Sequence, residues 1–196
     1  MKILFAGLSY LLGAIPSGYI LFYLSEKKDI RDFGSWATGA TNILRLKGWK
    51  YAVPVLLFDA LKGILPVLLA LKLFEDLFFA LVCAFLAVVG HCFPVYLKFR
   101  GGKGLATALG AYAVLAFMPL LLSLTVFILI VAITRYVSLG SLLAIMSYPL
   151  FVFLNKNEIE IVYLGFVLFL LIAFMHRGNI ARLIKGKERK LGEKAR

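Results

Sequence analysis

From Leu77 to Leu97 the chain reads LFFALVCAFLAVVGHCFPVYL, without a single Asp, Glu, Lys or Arg. A run of about 20 such residues crosses the hydrocarbon core of a bilayer as a helix, which satisfies its backbone hydrogen bonds from within. Comparable runs lie at about 3–24, 51–74, 104–118, 120–135, 139–154 and 159–176, beside 77–97 itself. They predict an all-α, polytopic integral membrane protein with seven transmembrane helices, a single membrane domain over 1–196. With 62% hydrophobic residues and a mean hydropathy of +0.94, a water-soluble fold would leave too much apolar surface uncovered. The chemistry is left to the short loops.

The first run is longer than the core of a signal peptide and follows only Lys2, so it reads as a retained span. Pro119 either separates the fourth and fifth spans or kinks one long helix. Cys83 and Cys92, in one apolar segment, stand about 13 Å apart along a helix axis, too far for a mutual disulfide. No repeats of 20–50 residues mark a solenoid or an inverted-repeat transporter.

The net charge of +12 is informative through its location. With seven spans, every Lys and Arg except Lys2, Lys62, Lys72 and Lys156 falls on one side of the membrane. The positive-inside rule makes that side the cytoplasm, leaving the N-terminus outside and the C-terminal tail inside. The charge is thus accounted for without a nucleic-acid partner. The same parity brings the three unusual loops, 31–48, 90–107 and 176–182, to the cytoplasmic face.

In RDFGSWATGATNILRLKG, Arg31 to Gly48, the residues Gly34, Ser35, Thr38, Gly39, Thr41 and Asn42 offer small side chains and accessible backbone N–H groups. Arg45 adds a planar fork suited to phosphate oxygens. In GHCFPVYLKFRGGKGLAT, Gly90 to Thr107, the glycines Gly101, Gly102 and Gly104 flank Lys103 and let backbone approach a ligand closely. A helix starting near Gly104 aims its positive end at an anion. This loop lacks the Ser or Thr that follows Gly-Lys in a nucleotide-binding P-loop. His91 is a candidate base with no carboxylate evidently placed to orient it. In HRGNIARL, His176 to Leu183, the residues His176, Asn179 and Arg182 recur three apart and share a helix face. The following IKGKERKLGEKAR reads as a solvated cationic tail for anionic lipid. Asp59 and Lys62, three apart within a span, read as a structural ion pair. Ser138 and Ser141 either cap a helix or supply hydroxyls to a site. No His/Cys/carboxylate cluster has metal-ligand spacing, and neither metal nor cofactor is expected. G-x-S-x-G is absent, as is a His followed five residues later by Asp.

Taken together, GS followed by GATNILR, then FDALKG, GHCFPVYLKFRGGKGLAT and HRGNIARL, in that order, resemble the PlsY family of bacterial membrane acyltransferases over essentially the whole chain. Trp36-Ala37-Thr38 depart from the small Gly/Asn/Pro stretch usual in that family. The resemblance implies transfer of an acyl chain from acyl phosphate to glycerol 3-phosphate, giving lysophosphatidic acid, at the cytoplasmic face of the bacterial inner membrane. It implies a site lined by Ser35, Arg45, Lys103, Ser141, His176 and Asn179. Ser35, Arg45, Lys103, His176 and Asn179 are the expected catalytic residues, and Thr41, Asn42, Gly101, Gly102, Gly104, Ser141 and His91 the expected substrate and phosphate ligands. The implied partners are the two substrates and membrane lipid. Direct attack of the glycerol hydroxyl needs no acyl-enzyme, and its proton goes to the substrate phosphate, His91 or His176. A transporter of a phosphorylated metabolite is the alternative, but it would place polar groups at both faces and at the bilayer midplane, whereas here they cluster on one.

Overall fold

The computed structural model describes residues 1–193, and among them every regular element is helical. The order is α1 (Lys2–Ala14), α2 (Ser17–Glu26), α3 (Ala40–Lys47), α4 (Trp49–Phe74), α5 (Leu77–Cys92), α6 (Leu105–Leu115), α7 (Phe117–Thr134), α8 (Val137–Leu154), α9 (Ile159–Met175) and α10 (Arg177–Ile184). The chain forms two compact units, residues 1–111 and 112–193.

In the first unit α5 packs against both α1 and α4, and α3 packs on α4. The α1–α5 contact is backbone-close: a Cβ on Gly13 would stand 2.1 Å from the Ala87 carbonyl oxygen, and one on Gly90 would stand 2.2 Å from that of Tyr10. Small residues that let helix backbones meet are how helices associate in lipid, where burial of apolar area drives nothing. Asp76 caps α5 by accepting from the Phe79 N–H at 2.9 Å. In the second unit α7 packs on α8 and α8 on α9. Outward side chains such as Phe58, Leu73, Ile133 and Leu170 stay exposed, as suits helices bathed in lipid.

Five segments are long and apolar enough to cross a membrane: Lys2–Glu26, Trp49–Phe74, Leu77–Leu97, Phe117–Thr134 and Val137–Leu154. A sixth arises if α9 and α10, bent by 66°, count as one span. The run expected at 104–118 forms only the 11-residue α6, about 16 Å long and short of a full crossing. Its end corrects the expected boundary. The break falls at Ala116, whose φ of −155° and ψ of 89° leave the helix, and Pro119 sits in the first turn of α7, where a missing N–H costs nothing. The expected first span, 3–24, is likewise two helices. Ile15, with ψ of 115°, is turned extended by Pro16 behind it, and α2 starts at Ser17. Cys83 and Cys92 are both buried free thiols, in accord with the spacing argument.

Candidate active site

Two sets of polar side chains emerge, one in each unit. In the first, the loop before α3 is built around Asn42, 1% exposed. Its Oδ1 accepts from the Ser35 N–H at 2.9 Å, and its Nδ2 donates to the carbonyls of Phe33 at 3.1 Å and Ala37 at 3.0 Å. Three bonds from one buried amide substitute for regular structure, where Gly34 and Trp36 both take positive φ, 63° and 59°. Asn42, expected among the phosphate ligands, thus serves the loop that carries Ser35. Thr41, by contrast, is exposed in the first turn of α3, and Ser35 and Arg45 are half-buried.

Arg31 fastens this loop to the next. Its Nη2 lies 2.6 Å from Asp29 Oδ2, and its Nη1 donates to the Leu97 carbonyl at 3.0 Å. The hydrogen bonds from Arg31 hold the Asp29 carboxyl below its ordinary range, against the opposing effect of its partial burial. The glycine-rich loop folds back on the end of α5, with Gly101 N–H donating to the Cys92 carbonyl at 3.2 Å and Gly102 N–H to that of His91 at 3.0 Å. A Cβ on Gly101 would lie 2.2 Å from the His91 carbonyl oxygen, so glycine here is a packing requirement. Gly104, at φ 82°, turns the chain into α6, which starts at Leu105 as the anion argument requires. Lys103 is half-buried between these glycines.

Beneath the loop, inside the helices, Asp59 is 1% exposed and stands 2.5 Å from Lys62 Nζ, so the expected ion pair is present. Asp59 also accepts from Ser17 Oγ at 2.5 Å and lies 3.6 Å from His91 Nδ1. The carboxylate that the sequence did not reveal beside His91 is therefore Asp59, reached across two helices. Lys62 donates as well to the Ile15 carbonyl at 2.7 Å, where Pro16 interrupts the helix.

In the second unit His176 is buried at the α9–α10 bend, its Nδ1 2.8 Å from the Ile172 carbonyl. A carbonyl only accepts, so Nδ1 carries a hydrogen and Nε2 is the ring's acceptor in the neutral form. Asn179 and Arg182 do share a face of α10, and both point at Glu188: Asn179 Nδ2 donates to Oε1 at 2.7 Å and Arg182 Nε to Oε2 at 2.7 Å. Ser138 Oγ adds a third bond at 3.0 Å, while Ser141 Oγ turns back to the Val137 carbonyl at 2.8 Å. The solvated tail is corrected only in part: Lys185, Lys187 and Lys190 are exposed, but Glu188 is buried, and Leu191 exchanges backbone and guanidinium bonds with Arg135. Residues 194–196 of the tail lie outside the described ones. The one sequence signal for this was an acid set among the cations of KGKERKLGEK.

Burial raises the Glu188 carboxyl, but the bonds from Asn179, Arg182 and Ser138 outweigh it and hold the group below its ordinary 4.5. The stabilisation is then complete above about pH 4.5 and disappears as pH falls through the lower, folded value. Replacing Glu188 with Ala removes the acceptor that Ser138, Asn179 and Arg182 share, at about 1–3 kcal/mol for a buried donor. Melting in detergent between about pH 6 and 3 checks this: the wild-type midpoint should fall on acidification, while Glu188→Gln starts lower and falls less. Coincident curves would remove Glu188 from this role.

Against known proteins, the family described as "Glycerol-3-phosphate acyltransferase" matches residues 3–186. The chain belongs to that family. A glycerol-3-phosphate acyltransferase of Endomicrobium trichonymphae is 43% identical over 97% of this chain and 96% of its own. Another, from Syntrophotalea carbinolica, is 46% identical over 92% of each. Among solved structures, the crystal structure of PlsY (YgiH), an integral membrane glycerol 3-phosphate acyltransferase, in its glycerol 3-phosphate form superposes with a TM-score of 0.93 at 38% identity, covering 97% of this chain and 96% of that one. Its lysophosphatidic acid form gives 0.90 at 37%. The all-helical integral membrane fold read from the sequence is that of this family.

Proposed function

We propose that the chain, acting as a single membrane domain in the bacterial inner membrane, transfers a fatty acyl group from acyl phosphate to the 1-hydroxyl of glycerol 3-phosphate. The products are lysophosphatidic acid and phosphate. The observation that carries this reading is the likeness along 97% of the chain to PlsY in a glycerol 3-phosphate form and a lysophosphatidic acid form. In the first unit, Arg45 and the glycine-flanked Lys103 add what such substrates need, a fork and a point charge for phosphate beside helices that face lipid.

The hydroxyl oxygen attacks the acyl carbonyl, the bond from that carbon to the phosphate oxygen breaks, and phosphate leaves with its electron pair. Acyl phosphate is a mixed anhydride, already activated, so positioning and cationic stabilisation of the leaving group suffice without an acyl-enzyme. Arg45 and Lys103 hold phosphate charge, Ser35 and Thr41 donate hydroxyls, and Gly101, Gly102 and Gly104 lend backbone. The substrate phosphate or a histidine accepts the hydroxyl proton, and in the second unit His176, Asn179 and Ser141 are the residues that the resemblance to PlsY implies for the substrates. Seven crossings, with α6 as a short one, and a cytoplasmic site follow from the one-sided distribution of Lys and Arg.

Purified protein given glycerol 3-phosphate and palmitoyl phosphate should release phosphate and lysophosphatidic acid in equal amounts. In sealed vesicles product should form only when the cytoplasmic face meets glycerol 3-phosphate. Product from an acyl thioester alone would overturn the donor, and accumulation of unmodified glycerol 3-phosphate would install the transporter instead.

A further inference from the structure

His91 presents its two ring nitrogens to different partners. Nδ1 faces the Asp59 carboxylate at 3.6 Å, itself fixed by Lys62 and by Ser17 at the Pro16 helix break. Nε2 faces the backbone of Gly102: a Cβ built there would stand 2.1 Å from it, with Cδ2 and Cε1 of the same ring next at 2.9 and 3.0 Å. The Gly102 N–H meanwhile donates to the His91 carbonyl at 3.0 Å. The ring is therefore wedged, 7% exposed, between a buried carboxylate and the residue immediately before Lys103. A general base must come within about 3 Å of the hydroxyl it deprotonates, directly or through one water. A ring placed in this way is better suited to hold a loop.

We propose that His91, oriented by Asp59, is a positioning residue of the glycine-rich loop: its ring is the surface on which Gly102 rests, and it thereby sets the place of Lys103. The inference rests on the phosphate-binding role given to Lys103 above. It also joins the loop to the α1–α2 break, because Asp59 is shared by Ser17, Lys62 and His91. Displacing a charged group by about 1 Å is enough to cost about 100-fold in rate, so a wedge of this kind matters without touching substrate.

The test is a set of kcat/KM values on purified protein, with detergent gel filtration to verify folding. His91→Ala should lower kcat/KM by about 10–100-fold, and His91→Gln, whose longer side chain carries an amide to the place of Nε2 beside Gly102, should recover most of it. Gln accepts no proton at neutral pH, so a base at position 91 predicts equal loss in both. In a Lys103→Ala background, His91→Ala should add less than about 2-fold, since it acts only through that lysine. Gly102→Ala should impair the enzyme alone, and His91→Ala should add little to it, because removing the ring clears the clash. If His91→Ala does not fold, His91→Gln and Gly102→Ala, alone and combined with Lys103→Ala, carry the same cycle. Additive losses, or a dead His91→Gln variant that is well folded, would overturn the positioning role while leaving the acyltransferase reading standing. A wild-type chain that forms no lysophosphatidic acid would overturn both.

Discussion

Lys103→Ala should lower kcat/KM for acyl transfer by about 100–1,000-fold, the usual effect of removing one preorganised group from developing charge. Lys103 stands half-buried between Gly102 and Gly104, with the start of α6 directly behind it. The hydrogen bonds that fold this loop, from Gly101 to Cys92 and from Gly102 to His91, are backbone bonds. Removing the side chain leaves those backbone bonds in place. Arginine at 103 would keep the charge but offer a broad planar fork in place of a compact ammonium, and should recover only part of the activity. Steady-state assay of phosphate release beside thermal melting in detergent checks both variants. A Lys103→Ala enzyme within about threefold of wild type would take the glycine-rich loop out of the reaction.

Asp59→Ala should be the most destabilising of the substitutions considered, by about 3–5 kcal/mol, because it leaves the Lys62 ammonium buried without its carboxylate. The Lys62 side chain is 5% exposed, and the Ile15 carbonyl, which it also meets, carries no full charge. Removing both charges, as in Asp59→Ala with Lys62→Met, should restore a good part of the loss, since a buried pair taken out whole costs far less than one cut in half. The Ile15 carbonyl at the Pro16 break would still lose its donor, so recovery should stop short of wild type. Melting of the single and double variants in detergent decides it. A single variant as stable as wild type would overturn the structural role of the pair.

The two networks differ in how far a one-dimensional reading could see them. Asp59 and Lys62 lie one helical turn apart, so their pairing follows from spacing alone. His91 lies far along the chain from Asp59, and its place beside that carboxylate depends on how α5 packs against α4. Asn42 reads as a phosphate ligand by composition, yet its amide is engaged by Ser35, Phe33 and Ala37. Glu188 looks like one more residue of a solvated tail until Ser138, Asn179 and Arg182 are seen around it.

Hydropathy by itself determined that this chain is a helical membrane protein, because a run of apolar residues in lipid has hardly any other way to satisfy its backbone. The order of FDALKG, the glycine-rich loop and HRGNIARL likewise sufficed for the family. Only the tertiary structure decided where helices break, at Pro16 and Ala116, and which polar side chains hold loops together. The physical reason is that a hydrogen bond or ion pair between residues distant in sequence exists only once packing brings them within about 3 Å, and no periodicity in either segment encodes that meeting.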